Sequence, residues 1–301
     1  MLIRHLHYLS ALAKERHFAR AAVACHVTQP TLSAGIKQLE ETIGVLIVER
    51  GQRFIGLTAE GERVLSWAQR VLADYDSLTQ ELGEMREGLA GRLRIGAIPV
   101  ALPVVQHLTR EFGRRHPQAA ISVRSVSSID IQRGLDDFSL DVGLTYLDNE
   151  PLARIRAVPL YRERYWLVTP KGGPFAGRQA VGWAEAATLP LGLFTPDMQN
   201  RRIVDMHFRE AGAEIQTAFE SNSLLTLWSH LPEAGWSSVL PQTFLPLIRG
   251  VESLEAIPLV EPDVSHDIGL VVSDREPPQP MARALLRAVR EIDLAMVLGA
   301  A

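Results

Sequence analysis

Between residues 18 and 39, apolar side chains recur every three or four positions, stop, and resume. Phe18, Ala21, Ala22 and Cys25 follow i, i+3, i+4, i+7 spacing and share one face of a predicted helix. His26-Val27 breaks the pattern. Thr28 is a good N-cap for a second helix, and Pro30 is tolerated in its first turn, where no intrahelical donor is lost. Leu32, Ile36 and Leu39 then restore the core-facing stripe. The opposite face is expected to present Gln29, Thr31, Ser33, Gly35, Lys37 and Gln38. Amides and hydroxyls suit base edges, and a lysine suits phosphate. Arg50 and Arg53 flank the turn of a predicted two-stranded wing ending near Leu57. Such a helix beside arginines is built to enter a DNA groove.

A longer period follows. Thr58 caps a helix predicted to run to about Leu89. Along it Val64, Ala68, Val71, Tyr75, Leu78, Leu82, Met85 and Leu89 alternate spacings of four and three. One helix cannot bury a seam of that length, so it predicts dimerisation. A dimer presents two recognition helices to half-sites ~34 Å apart or a multiple of it. Gly88 and Gly91 mark the helix end and a hinge.

From Arg92 the pattern becomes strands alternating with helices. Strands are expected at 93–97, 121–126 and 141–145, with helices at 101–115 and 128–138 between them. This is a βαβαβ unit with a mostly parallel sheet. A second unit starts near Arg164, and a last helix carries Met281, Leu285, Ile292 and Met296 inward. Crossovers are placed near 160 and 265. Small ligands bind such sheets in a crevice at the carboxyl ends of the strands. The stretches expected there are Pro99-Val100-Ala101, Ser127-Ser128, Thr145-Tyr146, Phe194-Thr195 and Ser221-Asn222-Ser223. Helix starts at Ser128 and Asn222 would offer backbone N–H groups to an anion. Arg201 and Arg202 would lie nearby.

Charge sharpens the picture. The chain has 301 residues and a net charge of -4. Residues 1–57 carry seven Lys/Arg against four Glu, so the first 57 are +3 and the remainder -7. That asymmetry favours a polyanion-binding head on an acidic body. Cys25 is the single cysteine, which excludes an intramolecular disulfide and a cysteine-rich zinc site. No apolar run approaches the ~18 residues of a membrane span. The first residues place charge where a secretory signal needs apolar side chains, so a cytoplasmic location is expected.

Phe18, Ala21-Ala22, Thr28-Gln29-Pro30, Leu32-Ser33, Ile36, Leu39-Glu40, Gly44, Arg50, Arg53, Leu57-Thr58 and Gly61 together resemble the N-terminal signature of LysR-type transcriptional regulators. The resemblance extends along the whole chain. It implies an α/β protein with an all-α N-terminal part: a winged helix-turn-helix domain (1–57), a linker helix (58–89) and a two-lobed effector domain like the periplasmic-binding-protein fold. The lobes would be 92–162 with 267–301, and 163–266. It also implies that Gln29, Pro30, Thr31, Ser33 and Lys37 belong to the recognition helix, and Arg50 and Arg53 to the wing. The implied partners are promoter DNA, a small-molecule effector, a dimer of dimers and, when activating, RNA polymerase. The family often places a hydroxyl where Val100 or Ala101 stands here.

A solute-binding receptor built on the same two lobes is the alternative reading. No phosphate loop, dinucleotide fingerprint, catalytic constellation or metal-ligand spacing appears, so neither enzyme activity nor a cofactor is expected. His5 and His7 are read as helix-surface residues, His266-Asp267 as a strand start, and Asp136-Asp137 with Asp141 as a helix end and strand entry. Trp228 and Trp236 are expected to fill the second lobe.

Overall fold

The computed structural model describes residues 2–50 and 54–292. The chain divides into two compact units at Ala90/Gly91.

The first unit is built from helices α1 (Leu2–Glu15), α2 (Phe18–Ala24) and α3 (Gln29–Ile43), a hairpin of strands β1 (Val48–Arg50) and β2 (Phe54–Leu57), and helix α4 (Ala59–Glu87). Leu6, Leu9 and Leu12 of α1, Ala21 and Ala22 of α2, and Leu32, Ile36 and Leu39 of α3 form one core. Phe18 and Cys25 pack partly buried against it, as their spacing predicts. Gly44 ends α3 at φ 81°, a left-handed position that costs glycine no Cβ clash. The buried Glu40 carboxylate accepts the N–H groups of Ile47 (3.0 Å) and Val48 (3.1 Å), fixing the first wing strand to α3. Thr58 caps α4, accepting from Gly61 N at 2.9 Å and donating to Leu46 O at 2.6 Å.

One expectation for α1 fails. His5 is buried, not superficial, and its ring lies 6.1 Å from that of Tyr8. It follows the Leu6–Leu9–Leu12 stripe closely enough to share its buried face. His7 is exposed.

The second unit opens with strand β3 (Gly91–Ala97), a 3-10 turn (Pro99–Ala101), helix α5 (Leu102–Arg115), strand β4 (Ala119–Ser125), helix α6 (Ser128–Asp136), and strands β5 (Val142–Tyr146) and β6 (Ile155–Glu163). It continues through β7 (Tyr165–Pro170), β8 (Val181–Gly182), α7 (Trp183–Ala186), β9 (Leu191–Phe194), α8 (Gln199–Glu210), β10 (Thr217–Ser221), α9 (Leu224–Ala234), β11 (Ser238–Pro241), α10 (Leu245–Ile248) and β12 (Leu254–Val260). Strand β13 (His266–Ser273) and helix α11 (Pro280–Val289) complete the described elements.

One sheet has the order β4-β3-β5-β13-β6. Its first three strands are parallel, whereas β13 is antiparallel to both β5 and β6. A second sheet has the order β11-β7-β12-β8, and the parallel pair β10-β9 is joined to the start of β11 by a bridge between Leu191 and Ser237. The chain leaves the first sheet at Arg164 and re-enters it at His266. Met281 and Leu285 of α11 are buried, Ile292 is partly buried, and Met296 lies outside the described residues.

Strands β6 and β12 escape the sequence pattern because each contains a proline. Pro159 lies in β6, an edge strand, and Pro258 in β12 precedes the two residues that pair with β8, so neither removes a donor from a doubly paired position. The large indole of the second lobe's core is Trp183, fully buried. Trp228 and Trp236, expected there, are only partly buried, and Trp236 stacks on Phe219 with centroids 5.3 Å apart.

Candidate functional sites

Thr28 starts α3, and its hydroxyl accepts the Thr31 N–H at 3.4 Å and lies 2.8 Å from the Thr31 hydroxyl. Gln29, Pro30, Thr31, Ser33 and Lys37 follow it, all exposed on one unit. Lys37 lies 3.8 Å from Glu41, a loose surface pair worth a few tenths of a kcal/mol, roughly, so the ammonium is readily given to another anion. Arg50 closes β1; its side chain and Arg53 lie outside the described residues.

Gly35 does not join this face. It is buried, and a Cβ there would lie 2.6 Å from Cδ2 of Tyr8. The residue extends the Leu32–Ile36–Leu39 stripe, so its missing side chain makes room for an aromatic ring of α1 and not for DNA.

The long helix also divides its labour differently from expectation. Val64 and Ala68 were expected to open the intermolecular seam. They pack instead, with Leu65 and Leu72, on the core of their own unit, because the first turns of α4 lie against α1. From Val71 onward the seam is uncovered: Val71 42%, Tyr75 45%, Leu78 53%, Leu82 53% and Met85 84% exposed. The helix ends at Glu87 with Gly88 as its cap, two residues before Leu89.

In the second unit the two lobes meet over a crevice lined by Ile98, Pro99, Val100, Ser127, Ser128, Phe194, Met198, Gln199 and Asn200. Its free volume is about 10 Å³, room for about one water molecule. Five of the expected residues therefore converge: Pro99, Val100, Ser127, Ser128 and Phe194. Ala101, Thr145 and Tyr146 are buried beside the lining and do not form it. Thr195 is partly buried, with its hydroxyl unpartnered. Ser221, Asn222 and Ser223 are not brought to the crevice. Ser223 caps α9, accepting from Thr226 N at 3.3 Å, and Ser221 accepts the Ser223 N–H at 3.1 Å.

Sequence reasoning missed Met198, Gln199 and Asn200. Helix α8 begins at Gln199, next to the crevice, and its first residues reach toward the first lobe. Gln199 Nε2 donates to Asn149 O, and Asn200 Nδ2 donates to the Tyr146 hydroxyl at 2.9 Å. Arg202 grips Glu150, its Nε donating at 2.7 Å, which holds the Glu150 carboxyl below its usual range. Arg201 is buried among anions of its own lobe: Asp205 at 2.7 Å and Glu220 at 2.5 Å. Neither arginine is left over for an anionic ligand.

Behind the crevice, Glu163 is fully buried and accepts from the Tyr146 hydroxyl. Burial pushes its carboxyl up to about 8, against the smaller opposing pull of the tyrosine hydrogen bonds. His266 is part of a buried ring cluster with Tyr146, Tyr165 and His207, beyond its place at a strand start. Asp136 pairs with Arg154, and Asp141 with Arg94, across the first lobe. No group of three or more metal-ligating side chains occurs among the described residues.

Comparison with known proteins adds three findings. Residues 3–62 match the family described as bacterial regulatory helix-turn-helix protein, lysR family, and residues 86–293 match the LysR substrate binding domain. The DNA-binding transcriptional dual regulator OxyR of Escherichia coli K12 is 33% identical over 292 residues, covering 96% of this chain and 95% of that protein. Among solved structures, full-length OxyR from Pseudomonas aeruginosa with a cysteine-to-aspartate substitution superposes with a TM-score of 0.78 at 27% identity, covering 98% and 97% of the two chains. CbnR in complex with its target DNA shares the fold, at a TM-score of 0.67 and 23% identity, covering 96% and 99%. The helix-turn-helix match removes the solute-receptor alternative, which has no use for such a segment.

Proposed function

The chain belongs to the lysR family of bacterial regulatory helix-turn-helix proteins, and from that premise we propose how this member reads DNA and what sets its output. It is a DNA-binding transcription regulator with an effector-binding domain. The reading is carried by one observation: the exposed face of α3 bearing Gln29, Thr31, Ser33 and Lys37, beside a two-stranded wing. Gln29 and Ser33 address base edges in the major groove. Thr28, Thr31 and Lys37, with Arg50 and Arg53 from the wing, address phosphates. Pro30 sets the helix start.

The uncovered seam of Val71, Tyr75, Leu78, Leu82 and Met85 takes the same seam of a second copy, giving a dimer that engages two half-sites. Two such dimers form a tetramer, and contact with RNA polymerase accompanies activation. The protein works in the cytoplasm and regulates without catalysing. Among the described residues no helix is long and apolar enough to cross a membrane.

The effector enters between the lobes divided at Arg164 and His266, against Pro99, Val100, Ser127, Ser128, Phe194 and Gln199. The closed crevice admits only a water-sized guest, so a larger effector requires the lobes to part and shifts the balance of two lobe arrangements. Several relatives are named hydrogen peroxide-inducible genes activators. This chain's only cysteine, Cys25, lies in the DNA-binding unit, where burial raises its thiol. A response that pairs two thiols within one chain is therefore closed to it.

Genome-wide mapping of bound sites, repeated with candidate metabolites, tests the whole reading. Site-specific occupancy that moves with one metabolite is expected; uniform occupancy unaffected by any would overturn it.

A further inference from the structure

Four side chains form a continuous line across the two lobes. Asp148 follows β5 and His266 opens β13, both in the first lobe; His207 and Glu210 lie on α8 in the second. Oδ2 of Asp148 is 3.2 Å from Nδ1 of His266, and it also accepts the Asp267 N–H at 3.1 Å. Nε2 of His266 is 2.9 Å from Nε2 of His207, and Nδ1 of His207 is 2.8 Å from Oε2 of Glu210. Both rings are buried, at 4% and 9% exposure for His207 and His266.

Counting hydrogens decides what this line can do. It has three gaps, and each needs one hydrogen. Two neutral imidazoles supply two, and two carboxylates supply none. With both rings neutral, one gap sets lone pair against lone pair. One additional proton bridges all three. A second additional proton puts four hydrogens into three gaps, and N–H then confronts N–H between the rings.

We propose that Asp148–His266–His207–Glu210 is a one-proton latch between the lobes, closed when the line carries a single additional proton and released by losing it or by gaining another. The proton binds to the pair of rings as a unit. The latch acts between the lobes alone, whatever small molecule the crevice takes.

The groups around the line are neutral or already paired. Tyr165 lies 6.2 Å from the His207 ring and 6.1 Å from the His266 ring, Tyr146 6.0 Å from His266, and Trp183 5.3 Å from His207. These rings carry no charge at neutral pH, and burial drives the Tyr146, Tyr161 and Tyr165 hydroxyls further from ionising. Glu163, bonded to Tyr146, stays uncharged up to about 8. The Asp267 carboxylate is engaged by Arg162 at 3.3 Å, and on α8 the Arg201 charge is matched by Asp205 and Glu220. Burial, and after it the neighbouring His266, lower His207, and the Glu210 carboxylate opposes them without reversing the shift.

The test uses the full chain with isotope-labelled histidine, titrated across about pH 5 to 8 by nitrogen-resolved magnetic resonance. Amide exchange of α8, corrected for the intrinsic rate, reports lobe contact. His207 and His266 are expected to titrate together in two steps, with α8 protected most between them. Glu210→Gln alters a side chain that is 52% exposed and is expected to fold normally. Its amide donates to Nδ1 of His207 and fills the outer gap without the additional proton. The alkaline loss of protection should therefore vanish, and the acid loss remain. Independent single-step titration of the two rings would overturn the latch, and so would an alkaline limb unchanged in Glu210→Gln.

Discussion

The Tyr146 hydroxyl donates to the Glu163 carboxyl at the point where the chain passes from one lobe to the other. Burial holds that carboxyl at about 8, and the charge of Asp148 pushes in the same direction. Folded protein therefore keeps a proton that unfolded chain releases near ~4.3. Between those values the unfolded state binds fewer protons, so stability falls as pH rises and levels off above about 8. Glu163→Gln should remove this slope. Thermal unfolding midpoints at about pH 5 and about pH 8 would differ less in the variant than in the parent; an equal difference would show that the buried carboxyl is ionised throughout.

Gly35 makes a second, counterintuitive case. Alanine is better than glycine inside a helix by about 1 kcal/mol. Here a methyl group would lie 2.6 Å from the buried Tyr8 ring, too close for either to stay in place. Overpacking of this kind costs about 1–3 kcal/mol. Gly35→Ala is thus expected to lower stability in urea unfolding, despite its propensity, and to leave operator preference intact in whatever fraction folds.

On the DNA-facing side, Gln29→Ala and Ser33→Ala should each reduce preference for the operator over random duplex by about 1–3 kcal/mol. Lys37→Ala should weaken all duplexes alike and lower the salt slope by about 1. Fluorescence anisotropy with both duplexes at several salt concentrations separates the two behaviours. Equal losses on operator and random DNA for Gln29→Ala would refute base reading there.

Leu78 sits in the middle of the uncovered seam, and burying such a side chain contributes about 1.5–3 kcal/mol per copy. Leu78→Asp replaces that gain with a charge facing its symmetry mate's neighbours. Sedimentation should find monomers. Ala68→Ser, inside the unit's own core, should instead leave the association state unchanged while lowering the unfolding midpoint.

The sequence alone determined the local grammar. Apolar spacing located the two helices of the turn motif, Thr28 and Thr58 announced the starts of α3 and α4, and the seam from Val71 to Met85 revealed itself by period. Such signals are set by neighbours within one or two turns, and they survive translation into three dimensions. Tertiary structure decided the rest. Gly35 lay on the polar face by pattern and went inward because Tyr8, twenty-seven positions earlier, needed the space. Val64 and Ala68 matched the seam and were claimed by α1. Strands β6 and β12 carried prolines that local rules reject, and pairing on one side alone accommodated them. The pairing of His207 with His266, and of Arg202 with Glu150, joins residues more than fifty positions apart. No periodicity encodes such contacts, because their partners meet only once two sheets have folded and closed on each other.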